Sequence, residues 1–427
     1  MAVSEAAPAA AGPRQFDLDK CVHCGLCLNA CPTYRELGLE ADSPRGRIYQ
    51  MVQVAAGELP ISRSYIEHLE LCLACRACET ACPSGVQYGR LIEAARAEIE
   101  RKAPRPLAAR LVRRFVFGRL LLSPTLMRLA GGLLWLYQAI GLRRLVESSG
   151  LLKKLGALGR VVRLAPSAER PFFFRQIGKV FPAEGPVRYR VAFLAGCVAN
   201  VSFARLNEAT VRVLQKNGCD VAIPAGQTCC GALHAHLGLR EEARALARRN
   251  IDAFLSGDYD AIITNAAGCG SMLKEYHELV EGDAAARFSK LVKDVTEFLA
   301  SIELNTNMGP VPVIATYQDS CHLAHGQRIR VAPRQLLRSV PGLEFREMPL
   351  SDLCCGSAGV YNVVQSEMAA QILENKMRLA ESTGADVIVT ANPGCMLQLR
   401  AGGRRVAHVV EILDQAYRAA NINFEVV

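Results

Sequence analysis

The chain has 427 residues, half of them hydrophobic, with 34 glycines and a single tryptophan, so it is long enough for two to four globular domains and is not disordered or collagen-like. Its 50 lysines and arginines exceed its 41 acidic residues and give a net charge of +9. Its 17 cysteines are far more than an ordinary chain of this length carries, and their odd number argues against a simple disulfide framework.

The N-terminal residues 1–16 are predicted to form a flexible tail. They are rich in alanine and proline and lack the basic cluster and apolar run of an export signal, so we expect a cytoplasmic protein. In that reducing compartment, clustered cysteines indicate metal, cluster or redox chemistry. The longest apolar stretch, Leu129–Leu142, is flanked by arginines and falls short of the roughly 18 uncharged apolar residues that a membrane span needs.

Two cysteine runs of the same spacing follow the tail. Each reads Cys-x2-Cys-x2-Cys-x3-Cys-Pro, and every cysteine of the second run lies 51 residues after its counterpart. This is the spacing of bacterial ferredoxins, in which the fourth cysteine of each run ligates the cluster of the other run. We therefore predict a ferredoxin domain over residues 17–100 with two [4Fe–4S] clusters. The predicted ligands are Cys21, Cys24, Cys27 and Cys82 for the first cluster, and Cys72, Cys75, Cys78 and Cys31 for the second.

Two questions about this domain stay open at the level of the sequence. Zinc is the weaker interpretation of the cysteines, because zinc ribbons use paired CxxC motifs rather than this repeated run. Between the runs lies Pro44-Arg45-Gly46-Arg47. Its arginines either offset the charge of the clusters or lie at the surface.

Residues 101–186 form a basic and apolar segment, which we call the linker. Residues 101–180 hold 17 lysines and arginines and only two acids. Leu107, Leu111 and Phe115 recur every four residues, which predicts an amphipathic helix. The linker either docks on an anionic membrane or an acidic partner, or packs on the neighbouring domains with solvated arginines. No nucleic-acid-binding pattern accompanies the charge, so we expect no nucleic-acid partner.

Eight of the nine remaining cysteines form two matched sets, with offsets of 124 to 126 residues between them. The sets are Cys197, Cys229, Cys230 and Cys269, and Cys321, Cys354, Cys355 and Cys395. Each contains Cys-Cys-Gly, and we name residues 187–302 the first module and residues 303–427 the second module. Such self-similarity predicts two copies of one structural unit, related by a pseudo-twofold axis. Cys219 has no counterpart and is predicted to be a buried core thiol.

Each module alternates short apolar runs with amphipathic helices, which predicts parallel α/β layers. The predicted strands are Val191–Ala195, Asp220–Ile223, Ala261–Thr264, Val311–Ala315, Leu343–Glu347 and Asp386–Thr390. The predicted helices are Ala204–Lys216, Arg240–Leu255, Pro333–Ser339 and Val363–Ser382. The fold class is therefore mixed α+β and α/β: a helical ferredoxin domain, a basic helical linker and two tandem α/β modules with parallel sheets.

The matched cysteines follow predicted strands, and the carboxyl ends of parallel strands meet at one edge of a sheet, so each set of four is expected to converge. Four converging thiolates can hold an iron–sulfur cluster or zinc; the alternative is a set of buried structural thiols. His234, His322 and His325 lie near these loops. They are candidate donors of protons or hydrogen bonds, although a lone histidine is more often a satisfied structural residue.

Several common cofactor and catalytic motifs are missing from the sequence. It contains no GxGxxG dinucleotide loop, no GxxxxGK phosphate loop and no GxSxG nucleophile motif. We therefore expect no flavin, no NAD and no catalytic residue on this chain. We interpret the chain as an electron conduit that needs a flavin-bearing partner.

Taken together, these motifs resemble those of the glycolate oxidase iron–sulfur subunit family, over about residues 17–418. The resemblance rests on Cys21-Val-His-Cys-Gly-Leu-Cys27, Cys31-Pro-Thr-Tyr34, Pro44-Arg-Gly-Arg-Ile-Tyr49, Cys82-Pro-Ser-Gly85, Leu353-Cys-Cys-Gly-Ser-Ala-Gly359, Asn375-Lys-Met377 and Ala391-Asn-Pro-Gly-Cys395. It implies an electron-transfer subunit of a glycolate dehydrogenase complex. FAD-binding partner subunits would oxidise glycolate, and often D-lactate, and this chain would pass the electrons towards a quinone, peripherally on the inner face of the cytoplasmic membrane.

Three alternatives accompany this resemblance. Anaerobic glycerol-3-phosphate dehydrogenase and heterodisulfide reductase have related architectures, and a redox-sensing or assembly protein is an alternative of another class. The paired ferredoxin sites favour electron transfer over sensing. In heterodisulfide reductase each module ends in CxxC, which supplies a fifth thiolate, but here the equivalent positions are Met272 and Gln398. This departure argues against a five-thiolate cluster and leaves a four-thiolate cluster or an empty module.

Overall fold

The computed structural model describes residues 12–148 and 166–420. Most of the predicted tail, residues 1–11, lies outside this part of the chain, as does the basic stretch 149–165. The ferredoxin domain is a set of short helices around the two cysteine runs. The helices are Gln15–Leu18, Pro32–Leu37, the 3₁₀ turn Glu40–Asp42, Pro44–Ala55, Arg63–Glu70, Ala77–Thr80 and Tyr88–Lys102. Ile48, Leu69 and Leu91 pack in its core, and Cys72 and Cys78 belong to the same buried cluster.

The described part of the linker is mainly helical, apart from the short strand Val180–Phe181 near its end. Its helices are Leu107–Phe115, the π-helical turn Val116–Leu120, Pro124–Ala139 and Leu142–Ser148. Within the described ranges, no single helix is long and apolar enough to cross a membrane. The stretches Leu107–Leu120 and Pro124–Ala139 reach that length and composition only as a pair, and they meet at an angle of 111°.

Each module contains a parallel sheet with helices on its faces. The first sheet holds β1 (Val180–Phe181), β2 (Tyr189–Phe193), β3 (Cys219–Ala222), β4 (Ala261–Thr264) and β5 (Val292–Asp294). The second holds β6 (Val313–Tyr317), β7 (Leu343–Glu347), β8 (Val387–Thr390) and β9 (Val406–His408). Their orders are β1-β3-β2-β4-β5 and β7-β6-β8-β9, and only β1 is antiparallel to its neighbour. Apart from β1, the two sheets have the same strand order, so the duplication seen in the cysteines extends to the fold.

The remaining helices connect these strands. The 3₁₀ turn Phe173–Gln176 lies in the last part of the linker. In the first module the helices are Ala199–Ser202, Ala204–Lys216, Ala232–His236, Arg240–Leu255, Ala267–Lys274, Tyr276–Leu279, Asp283–Leu291 and Val295–Ser301. In the second module they are the π-helical turn His322–Gly326, then Val331–Arg338, Tyr361–Val364, Ser366–Glu381, Pro393–Ala401 and Val409–Ala419. The predicted fold class is confirmed: a helical ferredoxin domain and a helical linker precede two α/β modules with parallel sheets.

Three strands, β1, β5 and β9, were not predicted from the sequence because they are only two or three residues long. Both β5 and β9 end at a buried residue that caps the following helix. Asp294 accepts a hydrogen bond from the Thr296 amide at 2.8 Å, and His408 accepts one from the Val410 amide at 3.1 Å. Glu297 and Glu411 complete the two capping boxes. These boxes are a sequence signal that would have located the end of each module's last strand.

The two modules pack against each other reciprocally. The first long helix of the first module, Ala204–Lys216, contacts the last helix of the second, Val409–Ala419. The last helix of the first module, Val295–Ser301, contacts the first long helix of the second, Val331–Arg338. Such a two-way exchange is what a local twofold relation produces. One buried apolar cluster accordingly extends through both modules.

The ferredoxin domain also packs on the first module, and Arg96 forms part of this contact. Its guanidinium donates to the His236 carbonyl at 3.0 Å and to the Cys72 carbonyl at 2.5 Å. Beside it, Gly238 adopts a φ of +81°, and a Cβ at this position would lie 2.5 Å from the Arg96 carbonyl oxygen. The residue is therefore glycine for two reasons, its left-handed backbone and its close approach to another domain.

We predict that Gly238→Ala destabilises the protein more than Gly403→Ala. Gly403 has a nearly equal φ of +80° but nothing within 4 Å of its Cβ position. The control should cost about 1–2 kcal/mol for the left-handed conformation alone. Gly238→Ala should cost roughly a further 1–3 kcal/mol for the backbone clash. Denaturant unfolding followed by circular dichroism measures both, and equal losses in the two variants would contradict the close contact.

Candidate functional site

The eight ferredoxin cysteines line two small cavities. Cys21, Cys24, Cys27 and Cys82 line one, and Cys31, Cys72 and Cys75 line the other, while Cys78 lines both. Each cavity therefore includes at least one cysteine from the opposite run. Cys24 is exposed and its three partners are half-buried, whereas all four cysteines of the other cavity are buried. We call them the outer and the inner ferredoxin sites.

The two cysteine loops have the same backbone conformation. His23 and Ala74 occupy equivalent positions with φ of 55° and 51°, and Gly25 and Arg76 occupy the next equivalent pair with φ of 82° and 65°. Non-glycine residues adopt this region only at an energetic cost, and such strain is concentrated at functional sites. The Ala74 amide donates to the Cys72 sulfur at 3.3 Å, so the strained loop directs a backbone donor at a cysteine.

The sequence left open whether the two arginines offset the charge of the clusters or lie at the surface, and Arg47 is buried. Its side chain is almost fully buried and donates to the Thr33 hydroxyl, the Asp42 carboxylate and the His68 carbonyl. The Thr33 hydroxyl also lies 3.2 Å from the Cys31 sulfur. Arg45 instead pairs with Glu40 and donates to the His23 carbonyl, with its side chain about one-third exposed. A buried cation therefore lies beside the inner site and a partly exposed one beside the outer site.

The donor set of these two sites suits iron–sulfur clusters. Each cavity is lined by at least four cysteines, and the Ala74 amide is directed at the Cys72 sulfur of the inner site. Burial raises the pKa of the Cys27 thiol to about 11, and it raises the pKa of Cys78 further above its ordinary value. Without metal these thiols are therefore neutral, and binding of iron must release their protons.

The four cysteines of the first module come together at one edge of its sheet. Cys197 follows β2, Cys229 and Cys230 follow β3, and Cys269 lies in the first turn of the helix after β4. The sulfurs of Cys230 and Cys269 are 3.1 Å apart. Hydrogen bonds also link Cys197 to Cys229 and Cys229 to Cys230, so the four thiols form one continuous chain.

The second module repeats this arrangement. Hydrogen bonds link Cys321 to Cys354, Cys354 to Cys355, and Cys355 to Cys395. The Cys321 thiol donates a hydrogen bond to Cys354, and this bond and burial raise the pKa of Cys321. Cys354 accepts hydrogen bonds from Cys321 and Cys355, which hold its pKa well below its usual range. Both module sites thus offer four thiols in one place, which fits a four-thiolate cluster.

Backbone conformation and close packing explain why each Cys-Cys-Gly motif has a glycine at its third position. Gly231 and Gly356 have φ of 83° and 86°. A Cβ on Gly231 would lie 3.4 Å from the Ala243 Cα, and one on Gly356 would lie 2.7 Å from the carbonyl oxygen of Ala369. Each glycine amide also donates to the first cysteine sulfur of its motif at 3.5 Å. The motif therefore turns the chain tightly against a helix while directing an amide at the thiol.

The three histidines occupy different surroundings. His234 donates through Nε2 to the Phe117 carbonyl at 2.9 Å and packs edge-on against the Phe117 ring, so it fastens the linker to the first module. His322 donates through Nε2 to the Ala74 carbonyl at 3.0 Å. His325 donates through Nε2 to the Asp352 carbonyl and accepts through Nδ1 from the Thr80 hydroxyl at 2.9 Å. Burial lowers the pKa of His322 to about 4, so this imidazole is neutral at neutral pH.

The second module lies directly against the inner ferredoxin site. Cys75 and Cys354 belong to one buried cluster with Leu73 and Tyr361, and the two thiols interact electrostatically. The Tyr361 hydroxyl donates to the Leu71 carbonyl at 3.0 Å. With the His322 and His325 contacts, these residues join the second cysteine run to the second module on several sides.

The positions where a fifth thiolate would lie are occupied by buried residues with other roles. Met272 packs in the apolar core of the first module. Gln398 accepts from the Asn362 side-chain amide at 2.9 Å and donates to the Ala369 carbonyl at 3.4 Å. Neither side chain replaces the missing thiolate.

Two further polar residues near the thiols were not identified from the sequence. Arg76, in the second cysteine loop, pairs with Glu79 and Glu275 and joins the loop to the first module. Lys376 is buried beside Cys354 and Cys355. Lys376 lies in an otherwise amphipathic helix with polar neighbours, so nothing in its local sequence marks it as buried. The alignment of the two modules places Lys376 opposite Asn250, and the family resemblance includes Asn375-Lys-Met377, but neither feature indicates burial.

A cleft of about 980 Å³ separates the ferredoxin domain from the first module. Arg76, Glu93, His236 and Glu275 line it, and they pair mainly with one another across it. Over residues 12–148 and 166–420, no group of three or more His, Cys, Asp or Glu side chains is arranged to hold a single metal ion.

Three families match separate parts of the chain. A 4Fe-4S dicluster domain matches residues 17–86, a cysteine-rich domain matches residues 191–274 and 315–400, and the linker region of the glycolate oxidase iron–sulfur subunit matches residues 108–164. Among curated proteins, the chain is 42% identical over 417 residues to a probable glycolate oxidase iron–sulfur subunit from Bacillus subtilis, covering 94% of each. It is 36% identical over 418 residues to the glycolate oxidase iron–sulfur subunit of Escherichia coli, covering 93% of this chain and 94% of that protein. It is also 30% identical to lactate utilization protein A of Oceanobacillus iheyensis, over 53% of this chain and 96% of that protein.

We predict that Cys24→Ser removes one cluster signal, whereas Cys219→Ser removes none. Cys24 lines the outer site, while Cys219 lies in β3 and belongs to no thiol set. The first variant should lose up to about four iron atoms per chain or convert its cluster to a three-iron form. Iron and sulfide assays with EPR of the reduced, anaerobically purified protein measure this. Bound zinc in place of iron in the unsubstituted protein would refute the cluster assignment.

Proposed function

The chain belongs to the glycolate oxidase iron–sulfur subunit family, and we propose that it transfers electrons between a glycolate-oxidising flavoprotein and a quinone. The electrostatic interaction of Cys75 with Cys354 within one buried cluster carries this proposal, because it places the thiols of the second module next to the inner ferredoxin site. Bound iron–sulfur clusters supply one-electron redox chemistry, which a protein needs to connect a two-electron flavin with a distant acceptor.

The proposed ligands are the four sets of thiols described above. Cys21, Cys24, Cys27 and Cys82 hold the outer cluster, and Cys72, Cys75, Cys78 and Cys31 hold the inner one. The outer and inner ferredoxin sites differ in how far the surrounding residues shield them from solvent. Cys24 is exposed, which leaves the outer site accessible to a partner, whereas Arg47, Thr33 and the surrounding helices enclose the inner site.

We assign the substrate to the partner because the sequence of this chain contains no GxGxxG dinucleotide loop. Glycolate is the first candidate, since the relatives that match over nearly the whole chain are named for glycolate oxidase. D-lactate is the second, since a further relative is a lactate utilization protein. In both cases a 2-hydroxy acid loses two electrons to the partner's flavin and becomes a 2-oxo acid.

Reconstitution with the FAD-binding partner tests this function. The partner alone should reduce its flavin with glycolate but should not reduce a quinone analogue, and addition of this chain should restore quinone reduction. Parallel assays with D-lactate and glycerol 3-phosphate separate the substrates. Full quinone reduction by the partner alone would show that this chain is not the conduit.

We further propose that the linker docks on an anionic membrane. Its apolar stripe does not pack on the neighbouring domains: Leu107, Leu111 and Phe115 are all more than half exposed. None of the nine residues in Leu107–Phe115 is buried. Arg113 instead faces the protein, where it pairs with Glu100 and donates to the Leu237 carbonyl.

The second linker helix extends this surface. Leu129, Leu133 and Leu136 are exposed, and Gly131 on the opposite side contacts Val201 of the first module. Exposed arginines at 110, 114 and 128 accompany the leucines. A bent pair of helices with outward apolar side chains and adjacent cations suits the interface of an anionic bilayer, where each basic residue contributes about 1 kcal/mol.

We predict that Leu111→Glu with Phe115→Glu weakens binding to anionic vesicles by at least about tenfold, since burial of each such side chain contributes roughly 1.5–3 kcal/mol. The matched control is Val331→Glu with Val364→Glu, which places the same charges on two exposed valines of the second module. Co-sedimentation with phosphatidylserine vesicles measures the binding, which should fall as salt rises. Equal losses in both double variants would mean that general charge repulsion, and not the linker surface, controls binding.

A further inference from the structure

Lys376 is a buried cation whose charge no carboxylate neutralises directly. It lies in the helix Ser366–Glu381 and is 1% exposed. Its ammonium donates to the Leu350 carbonyl at 3.0 Å and to the Ser351 carbonyl at 3.1 Å. Among the described residues, it forms no salt bridge with an acidic side chain.

The carboxylates nearest to this ammonium form ion pairs with arginines. Asp319 pairs with Arg334 at 2.7 Å, and Asp352 pairs with Arg330 at 3.1 Å. Burial lowers the pKa of Lys376, and the negative charges of Cys355 and Cys354, followed by those of Asp352 and Asp319, oppose that decrease. The positive charge of Lys376 is therefore available chiefly to the thiol site of the second module.

The first module has a neutral residue at the same position. The helices Arg240–Leu255 and Ser366–Glu381 are both 16 residues long, and Asn250 in the first corresponds to Lys376 in the second. Asn250 donates to the Cys229 carbonyl at 3.0 Å and to the Tyr276 hydroxyl at 2.9 Å. Its side-chain oxygen accepts from the Thr228 amide. The two modules thus share a fold and a thiol arrangement but differ by one buried positive charge.

We propose that the Lys376 ammonium raises the reduction potential of the cluster held by Cys321, Cys354, Cys355 and Cys395. One-electron reduction adds one negative charge beside Lys376, and this added charge favours the protonated form of its side chain. A fixed positive charge in a poorly polarisable interior stabilises the reduced form more than the oxidised form. The electron comes from the ferredoxin sites, to which the second module is joined through Cys75.

This inference rests on the proposed electron-transfer function and assigns a direction to it. The inner site has a buried cation too, but Arg47 shares its charge with Asp42 through a hydrogen bond. In the first module, the uncharged side chains of Asn250 and Tyr276 donate to the carbonyls of Cys229 and Cys230. Lys376 therefore makes the second module the more favourable site for an electron, and the accepting end of the chain of sites.

A redox titration followed by EPR tests the proposal in the full-length, anaerobically purified chain. The second-module signal is identified as the one that Cys355→Ser abolishes. Lys376→Met removes the charge and keeps the length of the side chain, and Lys376→Gln removes the charge and keeps a hydrogen-bond donor for the carbonyls. In both variants we expect the oxidised-to-reduced ratio of that signal at a fixed potential to rise at least tenfold, which is about 59 mV for one electron.

Two controls separate charge from structure. Arg378→Met removes a positive charge from an exposed position of the same helix and should leave the potential unchanged. Lys376→Arg keeps the charge and should keep a potential close to that of the unsubstituted protein. An unchanged potential in Lys376→Met and Lys376→Gln would overturn the proposal, and loss of the signal in both would overturn it as well, since Lys376 would then be needed for assembly. Absence of a signal sensitive to Cys355→Ser in the unsubstituted protein would instead refute the second-module site itself.

Discussion

Three hydrogen bonds and one electrostatic interaction between thiols join the second cysteine run to the second module. His322 and Tyr361 donate to carbonyls on either side of Cys72, His325 accepts from Thr80, and Cys75 lies in the same buried cluster as Cys354. The donors come from loops at the carboxyl edge of a parallel sheet, where the module cysteines also lie. The same edge therefore both gathers the thiols and docks the ferredoxin domain, so the position of every site depends on this interface.

Burial of so many thiols creates an electrostatic cost that the fold offsets locally. A thiolate or an anionic cluster in an apolar interior needs hydrogen-bond donors or positive charge nearby. At the ferredoxin loops the donors are backbone amides held by left-handed residues such as Ala74, and the charge comes from Arg47. At the modules the donors are the glycine amides of the Cys-Cys-Gly motifs, and only the second module adds a cation. Duplication thus preserved the fold and the thiols while one helix position diverged in charge.

The linker differs from the other segments because its apolar side chains face outwards. A helix whose apolar stripe is exposed along its whole length gains no stability from packing that stripe, and it is stable only if something else covers it or if its other side is anchored. Here the anchors are polar and aromatic: Arg113 pairs with Glu100, and Phe117 packs on His234. These contacts hold the bent helices on the body of the protein and leave their leucines free for a partner.

The amino-acid sequence by itself determined the repeated units, because cysteine spacing and strand-length apolar runs are local patterns. The strands Ala261–Thr264 and Leu343–Glu347 and the helices Ala204–Lys216 and Arg240–Leu255 have the predicted bounds. The short strands β5 and β9 were missed, since three residues are too few to show alternation.

The sequence could not decide whether the stripe of Leu107, Leu111 and Phe115 packs inwards, because both a packed helix and an exposed one have an amphipathic pattern. It also could not place Arg47 and Lys376, since a charged residue in a helix is normally solvated and only packing from distant segments buries it. Tertiary structure alone decided which module touches the inner ferredoxin site, because that contact joins residues such as Cys75 and Cys354 that are far apart in the chain.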